Sequence, residues 1–159
     1  MDSREFRNCM GKFATGVTVV TCKTENGFHG LTANSFTSVS LDPPLVLVSV
    51  DRKTKAFEHM KNNAFTVNIL KSTQEDVAMH FAGRPKEVAP FTWVEGEHAP
   101  RLEESLAHIE CKPWQEYDGG DHVLFVGEVQ EFVSNEGDAL TYFGGTFGKL
   151  TNDVVKVSS

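Results

Sequence analysis

The chain has 159 residues, 40% of them hydrophobic and 23% charged, and carries a net charge of −7. That is the length and composition of one ordinary globular domain. An acidic balance with no Lys/Arg block argues against nucleic-acid binding and a polybasic membrane anchor, and no run approaches the ~18 apolar residues that would span a bilayer.

In chain order, Asp2 or Ser3 is placed to cap a first helix running to about Phe13, with Phe6, Met10 and Phe13 on one stripe and Gly16 beyond it as a breaker. The β-branched run Val17 to Cys22 predicts a strand, and Glu25-Asn26-Gly27 a hairpin turn. The next strand starts near Phe28, enters a polar stretch and is stopped by Asp42-Pro43-Pro44. Leu45 to Val50 is almost continuously apolar, which predicts a strand buried on both faces. A helix follows from Thr54 as N-cap, with Phe57 and Met60 inward, and then a strand over Ala64 to Leu70. Ser72 to Glu75, "STQE", matches a capping box and predicts a short helix ending between Phe81 and Gly83. Arg84 to Pro100 reads as a polar surface excursion. Two long strands, Leu106 to Tyr117 and His122 to Val133, are joined by "DGGD", and a short strand from Leu140 to Phe143 leads into "GGTFG". Residues 1–150 are thus expected to form one domain, with 151–159 a loosely held tail. Strands outnumber helices and their spacing permits direct hairpins, so a mostly antiparallel barrel with a few peripheral helices is predicted.

Cys9, Cys22 and Cys111 are odd in number and far apart. They predict free thiols in a reducing compartment. The N-terminal "MDSREFRNCMGKF" has no apolar core of a secretory signal, so the expected location is the cytoplasm.

Four segments offer chemistry. Between His29 and Pro44, the residues Thr32, Asn34, Ser35, Thr37, Ser38 and Ser40 crowd small hydrogen-bonding groups beside a core strand. They suit either an edge strand facing water or a cradle for a heteroaromatic edge or a phosphate. Lys53-Thr54-Lys55 at a helix start suits either a phosphate or an ordinary N-cap flanked by solvated lysines. His122, after Gly119-Gly120-Asp121, is either structural or a ligand contact at a barrel mouth, and Tyr142 to Gly148 sets aromatics among glycines. The chain has no P-loop, no G-x-S-x-G, no H-E-x-x-H, no dinucleotide G-x-G-x-x-G and no histidine spacing suited to a metal. A chain without its own reactive groups, but with places for a flat ligand and a phosphate, is expected to borrow a cofactor.

The set "GVTVVT", "GLTANSFTSVSLDPPLVLVSVD", "FTVNIL", "GDHVLFVGEV" and "YFGGTFG", in this order, resembles the short-chain flavin reductases, the reductase components of two-component monooxygenases such as those acting on phenol or 4-hydroxyphenylacetate. The resemblance runs from about Phe6 to Leu150. It implies an FMN-binding split barrel (an antiparallel Greek-key barrel), a homodimer, and hydride transfer from NADH or NADPH to FMN or FAD, with the reduced flavin passed to a partner monooxygenase. It further implies that Thr32, Ala33, Asn34 and Ser35 meet the flavin ring and ribityl chain, and that Ser38 and Ser40 lie along the ribityl and phosphate side. Lys53, Thr54 and Lys55 would hold the phosphate, with Phe81 close to the flavin. His122 would contact the nicotinamide nucleotide, with Tyr142, Phe143 and Phe147 near it. Arg84 and Lys86 lie in a loop where the family varies. A non-catalytic flavin-binding or redox-sensing module of the same fold is the alternative.

Overall fold

The computed structural model describes residues 1–150. Its elements in order are α1 (Ser3–Met10), β1 (Thr15–Gly16), β2 (Thr18–Thr24), β3 (Gly27–Ala33), β4 (Thr37–Leu41), β5 (Pro44–Asp51), α2 (Lys55–Met60) and β6 (Phe65–Ile69). Then come α3 (Glu75–Phe81), β7 (Trp93–Val94), β8 (Arg101–Leu102), β9 (Ala107–Gly119), β10 (His122–Ser134), β11 (Leu140–Phe143) and β12 (Thr146–Lys149). The expectation falling on 151–159 lies outside the described residues. The chain is mostly β with few helices, and no described helix is long and apolar enough to cross a membrane.

Seven strands form one sheet in the order β3-β2-β6-β9-β10-β5-β4, antiparallel at every pairing. The sheet coils strongly, and covalent geometry requires it. Its opposite edges, β3 and β4, are joined only by residues 34–36. Four Cα steps reach at most ~14 Å, whereas six strand spacings across a flat sheet would be ~29 Å. Ser35 fastens the crossing: its Oγ donates to the Ser49 carbonyl at 2.9 Å and accepts from the Ser49 N–H at 3.1 Å.

Coiling gives the strands two apolar layers. Val20 and Cys22 of β2 join Val46, Val48 and Val50 of β5, Phe65 and Val67 of β6, and Ala56 and Met60 of α2 in one buried cluster. Val17 and Val19, on the other face of β2, join Val77 and Ala78 of α3, Leu102 and Leu140 in a second. β2 is therefore buried on both faces.

The structure revises several expectations. α1 stops at Met10, and its stripe is exposed, with Phe6 at 49% and Phe13 at 78%. The polar strand expected from Phe28 is two strands, broken where Ser35 leaves β2 for β5. β5 buries only Val46, Val48 and Val50, and Leu45 and Leu47 are half-exposed because the face they share lacks a covering layer. Ser72 does not cap α3. Gln74 takes the N-cap position, and its side chain instead accepts from Lys71 N and donates to the Glu104 carbonyl. The 84–100 segment is only partly superficial: Ala99 is buried, and Phe91 and Trp93 pack onto the second cluster. "GGTFG" does not end the structure; Thr146–Lys149 is a strand returning on β11.

Candidate functional site

A cavity of about 390 Å³ opens beside β3. β3 is an edge strand, so half its backbone hydrogen-bonding groups point away from β2. Thr32, Ala33 and Asn34 form one wall. Thr32 Oγ1 donates to the Ala78 carbonyl at 2.6 Å, which locks α3 against β3 and brings Met79, Ala82 and Arg84 to the cavity. The β11–β12 hairpin forms the opposite wall with Tyr142, Gly145 and Phe147, the two rings 5.1 Å apart. Gly144 and Gly145, at φ 59° and 78°, make the tight two-residue turn that lets the hairpin fold back. Gly144 N–H donates to the Gly11 carbonyl, so the hairpin tip is tied to the end of α1. Val17 closes the floor.

A second locus lies at the other end of β5. Thr54 is the N-cap of α2: its Oγ1 accepts from Phe57 N and donates to the Asp51 carbonyl. Asp51 Oδ1 takes the N–H of Lys53. With the hydroxyl and that amide in use, the turn presents the exposed side chains of Lys53 and Lys55 beside the start of α2. His122 faces Asp51 across the β5–β10 ladder. Its Nδ1 donates to Asp121 Oδ1 at 2.7 Å, and this bond, ahead of the charges of His122 and Lys53, holds the Asp121 carboxyl below its ordinary range. His29 and His59 stand 5.1 Å apart beside Lys55. Burial first, then the charges of His59 and Lys55, keeps His29 below the usual imidazole value.

The structure thus brings Thr32, Ala33, Asn34, Tyr142 and Phe147 together, and separately groups Lys53, Thr54, Lys55 and His122. Ser35 is structural, tying the connector to β5. Ser38 and Ser40 lie on β4 and line a different, apolar groove with Leu41, Leu45 and Phe132. Phe81 lies over Gly30, where an added Cβ would meet its ring at 2.5 Å, and packs with His80, Phe91 and Trp93. Phe143 points outward, half-exposed. Arg84 lines the cavity, whereas Lys86 pairs with Asp76 outside it. Sequence reasoning missed Val17, Met79 and Ala82. Met79 and Ala82 share a helix face at i, i+3, but only packing against β3 turns that face to the cavity.

Other places offer less. A cavity of about 480 Å³ between α3 and residues 89–92 is lined by Asp76, Glu103 and Glu104, which repel an anionic ligand. Burial pushes the Cys22 thiol up to about 11 and Cys111 to about 12, so neither is an ionised nucleophile at neutral pH.

The described residues form a mostly β protein with a cavity walled by Tyr142 and Phe147 and, apart from it, the exposed lysines Lys53 and Lys55. Residues 10–151 match the model of the flavin reductase like domain. An NADH-dependent flavin reductase from Rhodococcus is 41% identical over 150 residues, 91% of this chain and 84% of that protein. The reductase component of 4-hydroxyphenylacetate 3-monooxygenase from Thermus thermophilus is 40% identical over 91% of this chain and 95% of its own. Among solved structures, flavin reductase PheA2 superposes with a TM-score of 0.91 at 43% identity, covering 96% of this chain and all of that one. The NADH:FAD oxidoreductase SgcE6 of Streptomyces globisporus, determined with NAD and FAD fragments, gives 0.87 at 38% identity over 96% and 94% of the two chains. The chain belongs to the flavin reductase family.

Proposed function

We propose that this protein is an NADH:flavin oxidoreductase, which transfers hydride from NADH to FMN or FAD and supplies reduced flavin to a partner monooxygenase. One observation carries the reading: in a chain of this family, an edge strand bearing Thr32, Ala33 and Asn34 faces Tyr142 and Phe147 across a cavity. Those residues fit a flavin, with flat apolar surfaces for the ring and small polar groups for its edge.

The bound flavin supplies the hydride acceptor. Everything else is positioning by this chain. Outward backbone N–H groups of β3, with Asn34, hold the polar edge of the ring and stabilise negative charge that grows there, as an oxyanion hole does. Tyr142 and Phe147 would shield the ring from water and position the nicotinamide against it. Lys53 and Lys55 take the flavin phosphate by charge-assisted hydrogen bonds. His122, at the same rim, contacts the nicotinamide nucleotide. No side chain has to take a proton, which fits a site without a carboxylate pair.

The split-barrel form of the fold and a homodimer belong to the same reading. Support for the dimer comes from the groove of Leu41, Leu45, Phe132 and Val133, where Leu41 is 92% and Phe132 71% exposed. A second copy of the chain is the occupant that would cover it. We take residues 1–150 as the one catalytic domain and place the protein in the cytoplasm, where free thiols and NADH coexist.

The test is steady-state oxidation of NADH and NADPH with FMN, FAD and riboflavin in turn. Flavin-dependent NADH oxidation is expected. Tight flavin binding with no oxidation of either nucleotide would overturn the reading in favour of a non-catalytic flavin-binding module.

A further inference from the structure

The imidazole proposed to contact NADH is held in one tautomer, and that fixes what it recognises. Asp121 by itself would be a weak constraint, since its side chain is 83% exposed. Its backbone, however, is pinned. Arg52 N–H donates to the Asp121 carbonyl at 2.9 Å, and Arg52 Nε donates to the Gly120 carbonyl at 2.8 Å. Arg52 Nη2 also reaches Asp118 Oδ1 at 2.6 Å, so one residue, through its side chain and its backbone, spans the β9–β10 turn. Gly120, at φ 77°, makes that turn possible. On the other side, His122 is registered against Asp51 and Gly119 in the sheet. The carboxylate and the ring therefore meet at 2.7 Å on a rigid frame.

An ionised carboxylate can only accept, so the proton of this bond sits on Nδ1. The hydrogen bond from His122, with a smaller contribution from the charge of Lys53, holds the Asp121 carboxyl below its ordinary range. In a neutral ring Nε2 then presents a lone pair and no proton. We infer that Asp121 is a positioning residue: by taking the Nδ1 proton of His122 it makes Nε2 an acceptor for the carboxamide N–H of dihydronicotinamide, and not a donor to the pyrophosphate. The carboxamide is the donor group adjacent to the hydride-bearing carbon, so this bond orients the reacting ring. The inference rests on the reading of His122 as the nicotinamide contact.

The experiment compares wild type with D121A, D121N, H122A and D121A/H122A at pH 8 and saturating FMN. NADH is set against its reduced 3-acetylpyridine analogue, whose acetyl group accepts but cannot donate. H122A and D121A should each raise the KM for NADH about tenfold, the worth of one hydrogen bond in binding, with smaller changes in kcat. D121N should recover most of the loss, because an amide oxygen still accepts from Nδ1. The double variant should be no worse than H122A alone. The preference for NADH over the analogue should fall in D121A and H122A together. Flavin affinity and melting temperature should stay at wild-type values, which a merely structural role would not predict. If H122A leaves the KM for NADH unchanged, the underlying reading fails. If H122A raises KM but D121A does not, or their effects add in the double variant, only the role of Asp121 fails. A raised KM with the analogue preference intact would move the contact to the pyrophosphate and overturn the choice of group.

Discussion

The cavity and the charged rim of the sheet around Lys53 and His122, a separate locus, are built in opposite ways. The cavity is assembled from four separated parts of the chain: Val17, the end of β3, the end of α3 and the β11–β12 hairpin. Its lining runs from buried Val17 to exposed Asn34, Ala82, Arg84 and Gly145 and is mostly uncharged, and it is held together by the bond of Thr32 to α3 and that of Gly144 to Gly11. The rim comes from two adjacent turns, 51–55 and 118–122, joined by Arg52. It is exposed, charged and largely local. On the proposed function, the two loci divide the labour of recognition. The cavity should respond to what all flavins share, their ring, and the rim to what distinguishes nucleotides, their charge and their nicotinamide.

The largest expected effect tests that division. Lys53→Ala with Lys55→Ala should weaken FMN binding by about 2 kcal/mol, roughly thirtyfold, because charge-assisted hydrogen bonds to phosphate are lost. Leaving Thr54 in place preserves the N-cap, whose removal would cost ~1 kcal/mol of helix stability and confuse the readout. Riboflavin, lacking a phosphate, should bind as before. Equal losses for both ligands in a fluorescence titration would erase the distinction between rim and cavity.

Next in size, His122→Ala should lower kcat/KM for NADH by about tenfold while the flavin Kd holds steady, since the group removed belongs to the rim. A parallel loss of flavin affinity would place this histidine with the cavity. Asn34→Ala should do the converse at smaller scale. We expect about 1 kcal/mol, near fivefold, lost for riboflavin and FMN alike, from one polar contact to the ring edge. A loss confined to FMN would mean that Asn34 reads the phosphate side.

The smallest effect is a pH dependence of stability. Folding holds His29, beside Lys55, and His108 below the ordinary imidazole value, chiefly by burial. The unfolded chain therefore binds more protons as the medium becomes acidic. This contribution is whole above ~6.5 and is lost as pH falls through the lowered folded values. The melting temperature should drop between pH 7 and pH 5, and less so in His29→Gln. An identical slope in that variant would rule His29 out as a source of acid sensitivity.

Much of the chain's organisation was legible from local signals. The Thr54 N-cap, the hairpin turn at Glu25-Asn26 just before Gly27, the two long strands around "DGGD" and the helix ending at Phe81 all follow from side-chain chemistry within a few residues. So does the charge of the rim, because its residues are near neighbours in sequence. What the sequence left ambiguous is where distance along the chain is large and distance in space is small. "STQE" has the residues of a capping box, yet Gln74 is drawn instead to Lys71 and Glu104. Leu45 to Val50 has the composition of a strand buried twice, but burial needs a layer on each face, and β5 has one covered face. The polar stretch from Thr32 to Ser40 carries similar side chains throughout. Only the coiling of the sheet, which makes Ser35 cross from β3 to β5, sends Thr32 and Asn34 to the cavity and Ser38 and Ser40 to the opposite edge. The sequence determined which residues can hydrogen-bond, cap and carry charge. Tertiary structure decided which of them face one another, because a period-two strand commits each side chain to a face, and what covers that face is set by distant parts of the chain.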